Sequence, residues 1–163
     1  MTQRNENGMP MKYSDRFTLA DARQVARAAE EEALRHDWPM VIAVVDSGGH
    51  LVLQQRLDGA QLGSYEVARQ KAETAVRFRR PTRVFEDALT QGGLHLRLLG
   101  MTNLVPLDGG IPLIRDGAVV GAIGVSGMRS DQDAQVAQAG ADALPATAAQ
   151  SEPESEPESP GGR

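Results

Sequence analysis

The sequence predicts an α/β (α+β) domain in which helices pack on a largely antiparallel sheet, and three observations carry that expectation. Apolar periodicity changes along the chain in the order helix, two strands, helix, irregular segment, two or more strands, helix. The paired strands are joined by Ser47-Gly48-Gly49 and by Asp116-Gly117. Such turns are far shorter than the crossover a parallel pair needs. With 163 residues, 40% of them hydrophobic, the chain can bury one core and still leave a tail.

Each element has a local reason. Residues 1–15 are polar and expected to be disordered. The first helix opens at Thr18, because Thr18-Leu19-Ala20-Asp21 has the form of a reciprocal cap. Leu19, Ala22, Val25, Ala26, Ala29 and Ala33 recur at helical spacing until about His36, and Pro39 stops the helix. Met40 to Asp46 is short, β-branched and apolar on both faces, which reads as a buried strand; His50 to Leu57 is its hairpin partner. A second helix runs from Ser64, a natural N-cap, to Phe78. Pro81 or Thr82 starts a short helix through Leu89, and Gln91 to Asp108 is irregular.

Ile111 to Arg115 and Ala118 to Val125 form a second hairpin about Asp116-Gly117, a turn that hairpins favour. Asp131 caps a last helix to about Leu144. From Ala146 onward the repeated Ser-Glu-Pro-Glu is low in complexity and has no large apolar residue, so residues 146–163 read as a disordered acidic tail. Solubility explains such a tail more simply than a lure for a basic partner does. The folded part is therefore residues 16–145.

Composition excludes several classes. The net charge is −5 and no Lys/Arg block stands out, which argues against a nucleic-acid partner. There is no cysteine, hence no disulfide, thiolate metal site or cysteine nucleophile. No apolar run approaches the roughly 20 residues that span a bilayer. The N-terminus lacks the apolar region of a signal peptide, so a soluble cytoplasmic protein without a membrane partner is expected.

The chemistry concentrates around the second helix. Lys71 falls in the middle of its apolar face, beside Val67 and Thr74. An ammonium there either pairs with a carboxylate such as Asp58 or points into a ligand pocket. Arg56, Asp58 and Gly59 precede the same helix, and a turn does not need the Arg. Ser64 caps, or offers the helix N-terminus to an anion. Ser126-Gly127, at the end of a buried strand, and Gly109-Gly110, in Pro106 to Gly110, read either as places where backbone approaches a ligand or as simple turns. His36, His50 and His95 are separated and show no metal spacing, so each favours a structural or surface role. His50 is the candidate carried forward as a metal ligand.

Two long stretches, Val41 to Thr82 and Gly109 to Leu144, together resemble the GlcG/HbpS-like heme-binding proteins, which also occur as the C-terminal domain of PduO-type corrinoid adenosyltransferases. The likeness rests on D-x-G-G-H and R-x-D-G-A-x-x-x-S early, and on G-G-x-P with G-A-I-G-V-S-G late. It implies a profilin-like domain with about five antiparallel strands flanked by helices. It also implies homo-oligomers built from dimers, and for some members heme or tetrapyrrole binding in heme handling or redox sensing. The family pattern assigns Arg56, Asp58, Gly59, Ser64, Lys71 and Thr74 to the first motif, and Gly109, Gly110, Pro112, Ser126 and Gly127 to the second.

Two functions then compete. In a heme or tetrapyrrole binder, Arg56 and Lys71 pair the propionates and a histidine such as His50, or another side chain, approaches the iron. In an enzyme acting on a small carboxylate-bearing metabolite, Arg56 clamps the carboxylate while Lys71 and Asp58 move a proton.

Overall fold

Helix α1 (Leu19–Arg35) begins where its cap predicts. The Asp21 N–H donates to Thr18 Oγ1 at 3.1 Å, and the Thr18 N–H donates to Asp21 Oδ2 at 2.8 Å. The helix ends before Pro39 can, because Asp37 adopts the left-handed region at φ 55° and the Trp38 N–H donates to the Ala33 carbonyl at 3.0 Å. This computed structural model describes residues 17–146. The expected N-terminal disorder and all of the expected acidic tail beyond Ala146 lie outside the described residues.

Two hairpins follow the predicted turns. Strands β1 (Val41–Asp46) and β2 (Leu51–Arg56) are joined by a loop that Asp46 organises: its Oδ1 accepts from the Gly48 and His50 N–H groups, each at 2.9 Å. Strands β3 (Gly110–Arg115) and β4 (Ala118–Ser126) meet at Asp116 and Gly117, with φ of 51° and 74°. Both positive values are what a right-twisted two-residue hairpin turn requires. The sheet order is β2-β1-β4-β3, antiparallel throughout. About five strands were expected, whereas the described residues form four. Gly92 and Gly93, both at positive φ, turn the chain out of α3 (Arg83–Gln91). The next residues then coil into a 3₁₀ segment, Gly93–Gly100, within the stretch expected to be irregular.

Each face of the sheet has its own helices. Met40, Ile42 and Val44 of the β1 segment join Ile123, Val125 and Leu113 under α1 and α4 (Ser130–Asp142). Each of these side chains, fully buried, contributes about 1.5–3 kcal/mol. Val41, Ala43 and Val45 face helix α2 (Ser64–Phe78), which presents only Ala68, Ala72, Ala75 and Val76. That small-residue face lets α2 lie unusually close: a Cβ on Gly124 would strike the Ala68 carbonyl oxygen and come within 2.5 Å of the Ala72 nitrogen.

Two caps differ from expectation. Gly63, not Ser64, occupies the N-cap of α2, and Ser64 is its first helical residue. Helix α4 starts one residue before Asp131: Arg129 holds the cap position, and its N–H donates to Gln132 Oε1 at 3.3 Å. Asp131 lies in the first turn, where its charge suits the helix dipole.

Candidate functional site

The buried cation on α2 resolves first. Lys71 is 1% exposed, and its ammonium donates to Asp133 Oδ2 at 2.7 Å and to the Val125 carbonyl at 3.0 Å. Its partner is thus Asp133 of α4, not Asp58. Desolvation pushes the Asp133 carboxyl up, opposed by the charge and hydrogen bond of Lys71 and by the Met128 and Gly127 N–H groups. Gly109 completes the enclosure: at φ 114°, a Cβ there would sit 3.0 Å from the Lys71 nitrogen and 2.9 Å from Asp133 Cβ. The ammonium is sealed inside the protein, where it ties α2 to α4 across the end of β4.

Other residues singled out from the sequence belong to this interior. Ser126 Oγ donates to Ser64 Oγ at 3.2 Å, and Ser64 accepts from Gln61 Nε2 at 3.0 Å, which pins the start of α2 to the end of β4. Thr74 Oγ1 donates to the Gln70 carbonyl at 2.8 Å and accepts the Val105 N–H at 3.0 Å, holding the loop before β3. A Cβ on Gly110 would strike the Lys71 carbonyl oxygen, and one on Gly127 would meet Pro39 O at 2.5 Å. These glycines admit neighbouring protein backbone rather than a ligand. Pro112 sits buried in β3.

Arg56, Asp58 and Gly59 form a separate place. They line a cavity of about 530 Å³ with Leu34, Trp38 and Leu57, between the end of α1 and the exit of β2. Glu30 and Asp37 also border it. Leu34 is 58% exposed, so the cavity has an apolar wall open to a ligand. Among the described residues Arg56 makes no ion pair or hydrogen bond. By contrast, in the groove between α2 and residues 102–105 Arg69 is held by Glu66 and Glu73, and Arg77 by Glu73. The single cluster of Arg56, Asp58 and Lys71 expected from the sequence is therefore not assembled: Lys71 is spent on Asp133, and only the first two reach the cavity.

The histidines are distributed. His36 stacks on Trp38 with centroids 4.2 Å apart and planes at 17°, and its Nε2 lies 3.1 Å from both Glu32 Oε1 and Gln135 Nε2. His50 is at the far end of β2, its Nδ1 3.3 Å from Asp46 Oδ1. Six strand residues at about 3.3 Å each put it about 20 Å from Arg56. His95 is exposed on the 3₁₀ segment. No group of three or more His, Cys, Asp or Glu able to hold a metal ion occurs among the described residues.

Two important residues escaped the sequence reading. Asp133 shares a helical stripe with Val136, Ala137 and Gly140, all buried, and that anomalous acid was a readable signal for the partner of Lys71. Trp38, the sole tryptophan, stands between a helix end and Pro39, and its place in the same cavity wall as Arg56 depends on how α1 packs on β2.

Comparison with known proteins agrees with the fold. A family model described as "Haem degrading protein HbpS-like" matches residues 17–142. The chain is 40% identical over 106 residues to Protein GlcG of Escherichia coli strain K12, covering 64% of this chain and 77% of that one. The HbpS crystal structure superposes with a TM-score of 0.73 at 39% identity, over 81% of this chain and 92% of that chain. The PduOC:heme complex gives 0.72 at 33% identity, over 78% and 94%. No helix among the described residues is long and apolar enough to cross a membrane.

Proposed function

The chain belongs to the HbpS-like family, and from that premise we propose that it binds heme or a related tetrapyrrole in the cavity beside Arg56. The observation that carries this reading is an unpaired guanidinium next to an indole and two leucines. Arg56 offers a propionate two parallel N–H donors. Trp38, Leu34 and Leu57 offer the macrocycle an apolar face, and a cavity of about 530 Å³ lies within the range of cofactor sites. Among the described residues that line the cavity Arg56 is the only cation, so one propionate is held there and the other faces solvent. His36 stacks on Trp38, which lines the cavity, and that contact makes it the histidine candidate for the iron. His50 is too distant from Arg56 for both to serve one heme. Bound heme would supply iron redox chemistry, while the chain's own residues bind and orient it. The PduOC:heme structure supports the reading by likeness. A role in cytoplasmic heme handling is part of the proposal, in keeping with the composition.

The acid–base alternative asked for Lys71 beside Asp58. With that ammonium sealed against Asp133, the alternative lacks its proton carrier. Hemin titration followed at the Soret band tests the proposal. A saturable shift at micromolar, stoichiometric hemin is expected, with affinity reduced at least about tenfold in Arg56→Ala and in Trp38→Ala. An altered Soret position is expected in His36→Ala but not in His50→Ala or His95→Ala. The absence of any saturable shift, or wild-type affinity in both Arg56→Ala and Trp38→Ala, would sink it.

A further inference from the structure

The cavity beside Arg56 holds more negative charge than positive. Glu30, Asp37 and Asp58 line it, three carboxylates against one guanidinium. Among the described residues none of the three pairs with Arg56, and Asp37 and Asp58 make no side-chain hydrogen bond. Glu30 accepts from Gln55 Nε2 at 3.0 Å, a neutral amide that brings no counter-charge. The α2 groove is built differently, since Glu73 there sits between Arg69 and Arg77.

The backbone fixes this imbalance. Glu30 lies one turn before Leu34 on α1, so the two share a face. Asp37 follows the helix end in the left-handed region at φ 55°, its N–H donating to the Leu34 carbonyl at 3.2 Å. Asp58 and Gly59 are the corner of a turn that the Ala60 N–H closes on the Leu57 carbonyl at 3.1 Å, with Gly59 at φ 82°. A Cβ on Gly59 would stand 3.7 Å from Pro39 Cβ, so this corner rests on the chain that leaves α1. Carboxylates therefore reach the cavity from both segments that form it, and the cation from one.

We infer that Glu30, Asp37 and Asp58 select the tetrapyrrole by its carboxylates. The cavity takes a macrocycle with two of them on one edge and rejects one with a carboxylate on every pyrrole ring. The inference rests on the tetrapyrrole reading above and names the class within it. A dicarboxylate such as hemin can give one propionate to Arg56 and turn its apolar edge to Trp38, Leu34 and Leu57. A tetracarboxylate has no apolar edge. Whichever way it lies, a further propionate enters beside those side chains, loses water and meets no second cation among the lining residues. A cavity of about 530 Å³ has a cube-root width of about 8 Å, so that charge lies within one Debye length, about 10 Å, of the three acids and is repelled.

Soret titrations of the full chain at low ionic strength test this, with hemin and with iron coproporphyrin III, which carries propionates where hemin has vinyls. Wild type is expected to bind hemin at least about tenfold more tightly. Asp37→Asn with Asp58→Asn should tighten both ligands, iron coproporphyrin the more, and narrow the ratio at least about threefold. Asn is among the residues enriched in the left-handed region, so the double variant keeps the Asp37 backbone. Asp58→Asn alone carries the comparison if the double variant does not fold. Salt at about 1 M, where the Debye length is about 3 Å, should narrow the wild-type ratio too, which a purely apolar preference would not do. Equal affinity for the two porphyrins in wild type overturns the inference, as does a ratio that either the Asn variants or the salt leaves unchanged. In each of these cases saturable hemin binding leaves the tetrapyrrole reading standing. No saturable hemin shift in wild type sinks that reading, and the selection with it.

Discussion

Lys71 and Asp133 show how one misplaced-looking side chain organises its surroundings. Both are almost fully buried, so removing one partner leaves a charge with neither water nor counter-ion. Lys71→Met is expected to cost about 3–5 kcal/mol, and Lys71→Met with Asp133→Leu to recover most of that loss. Urea unfolding measures both. Asp108 makes the opposite kind of prediction. Burial pushes its carboxyl up; the Gly109 N–H opposes this, the neighbouring Glu86 charge adds to it, and the Arg83 and Lys71 charges oppose it. A carboxyl raised in the folded state binds its proton more tightly there than in the unfolded chain, so its ionisation erodes stability as pH climbs above 3.8. Asp108→Asn keeps the acceptor for the Gly109 N–H and should therefore raise Tm at pH 7. The gain should vanish when melting is repeated below pH 3.8. That Lys71 is buried could be read from its helical face. That Asp133 is a buried acid could be read from its own helical stripe, but that the two side chains meet could not, because 62 residues separate them.

Among the elements, α2 against β4 is the tightest fit. Gly124→Ala places a methyl group on the Ala68 carbonyl and should lift the helix from the sheet, a loss of about 1–3 kcal/mol. Gly100→Ala, with nothing within 4 Å, should be close to neutral, and thermal melts of the two variants compare them directly. Element positions were legible because their causes are local. The Thr18 cap, the Asp46 turn and Asp116-Gly117 each act within a few residues. The caps of α2 and α4 were misread because Gly63 and Arg129 take those places for reasons outside the local sequence. Ser64 was recruited by Ser126, and Arg129 is placed by the bonds that Asp133 makes to Met128 and Lys71. The irregular segment expected from Gln91 holds a 3₁₀ stretch that follows the paired glycines Gly92 and Gly93. That stretch leaves Leu94 83% and Leu99 68% exposed.

For the molecule as a whole, ligand binding and stability are one equilibrium. If heme occupies the cavity of the folded chain alone, hemin at 100 times its Kd should stabilise the protein by about 2.7 kcal/mol. Calorimetry should show that gain in wild type and no more than about 1.4 kcal/mol in Arg56→Ala at the same hemin concentration if its affinity falls at least about tenfold, with the two apoproteins melting alike. Equal shifts in both would place the ligand elsewhere. The sequence by itself determined the order of helices and strands, the antiparallel hairpins and the polar residues worth watching, because periodicity, turn chemistry and capping act over a handful of neighbours. Only the tertiary structure decided which of those residues meet. It buried Lys71 with Asp133 and brought Arg56 and Trp38 to the wall of one cavity. These outcomes depend on strand register and on helix packing between distant segments, where shifting a strand by one residue reverses every face.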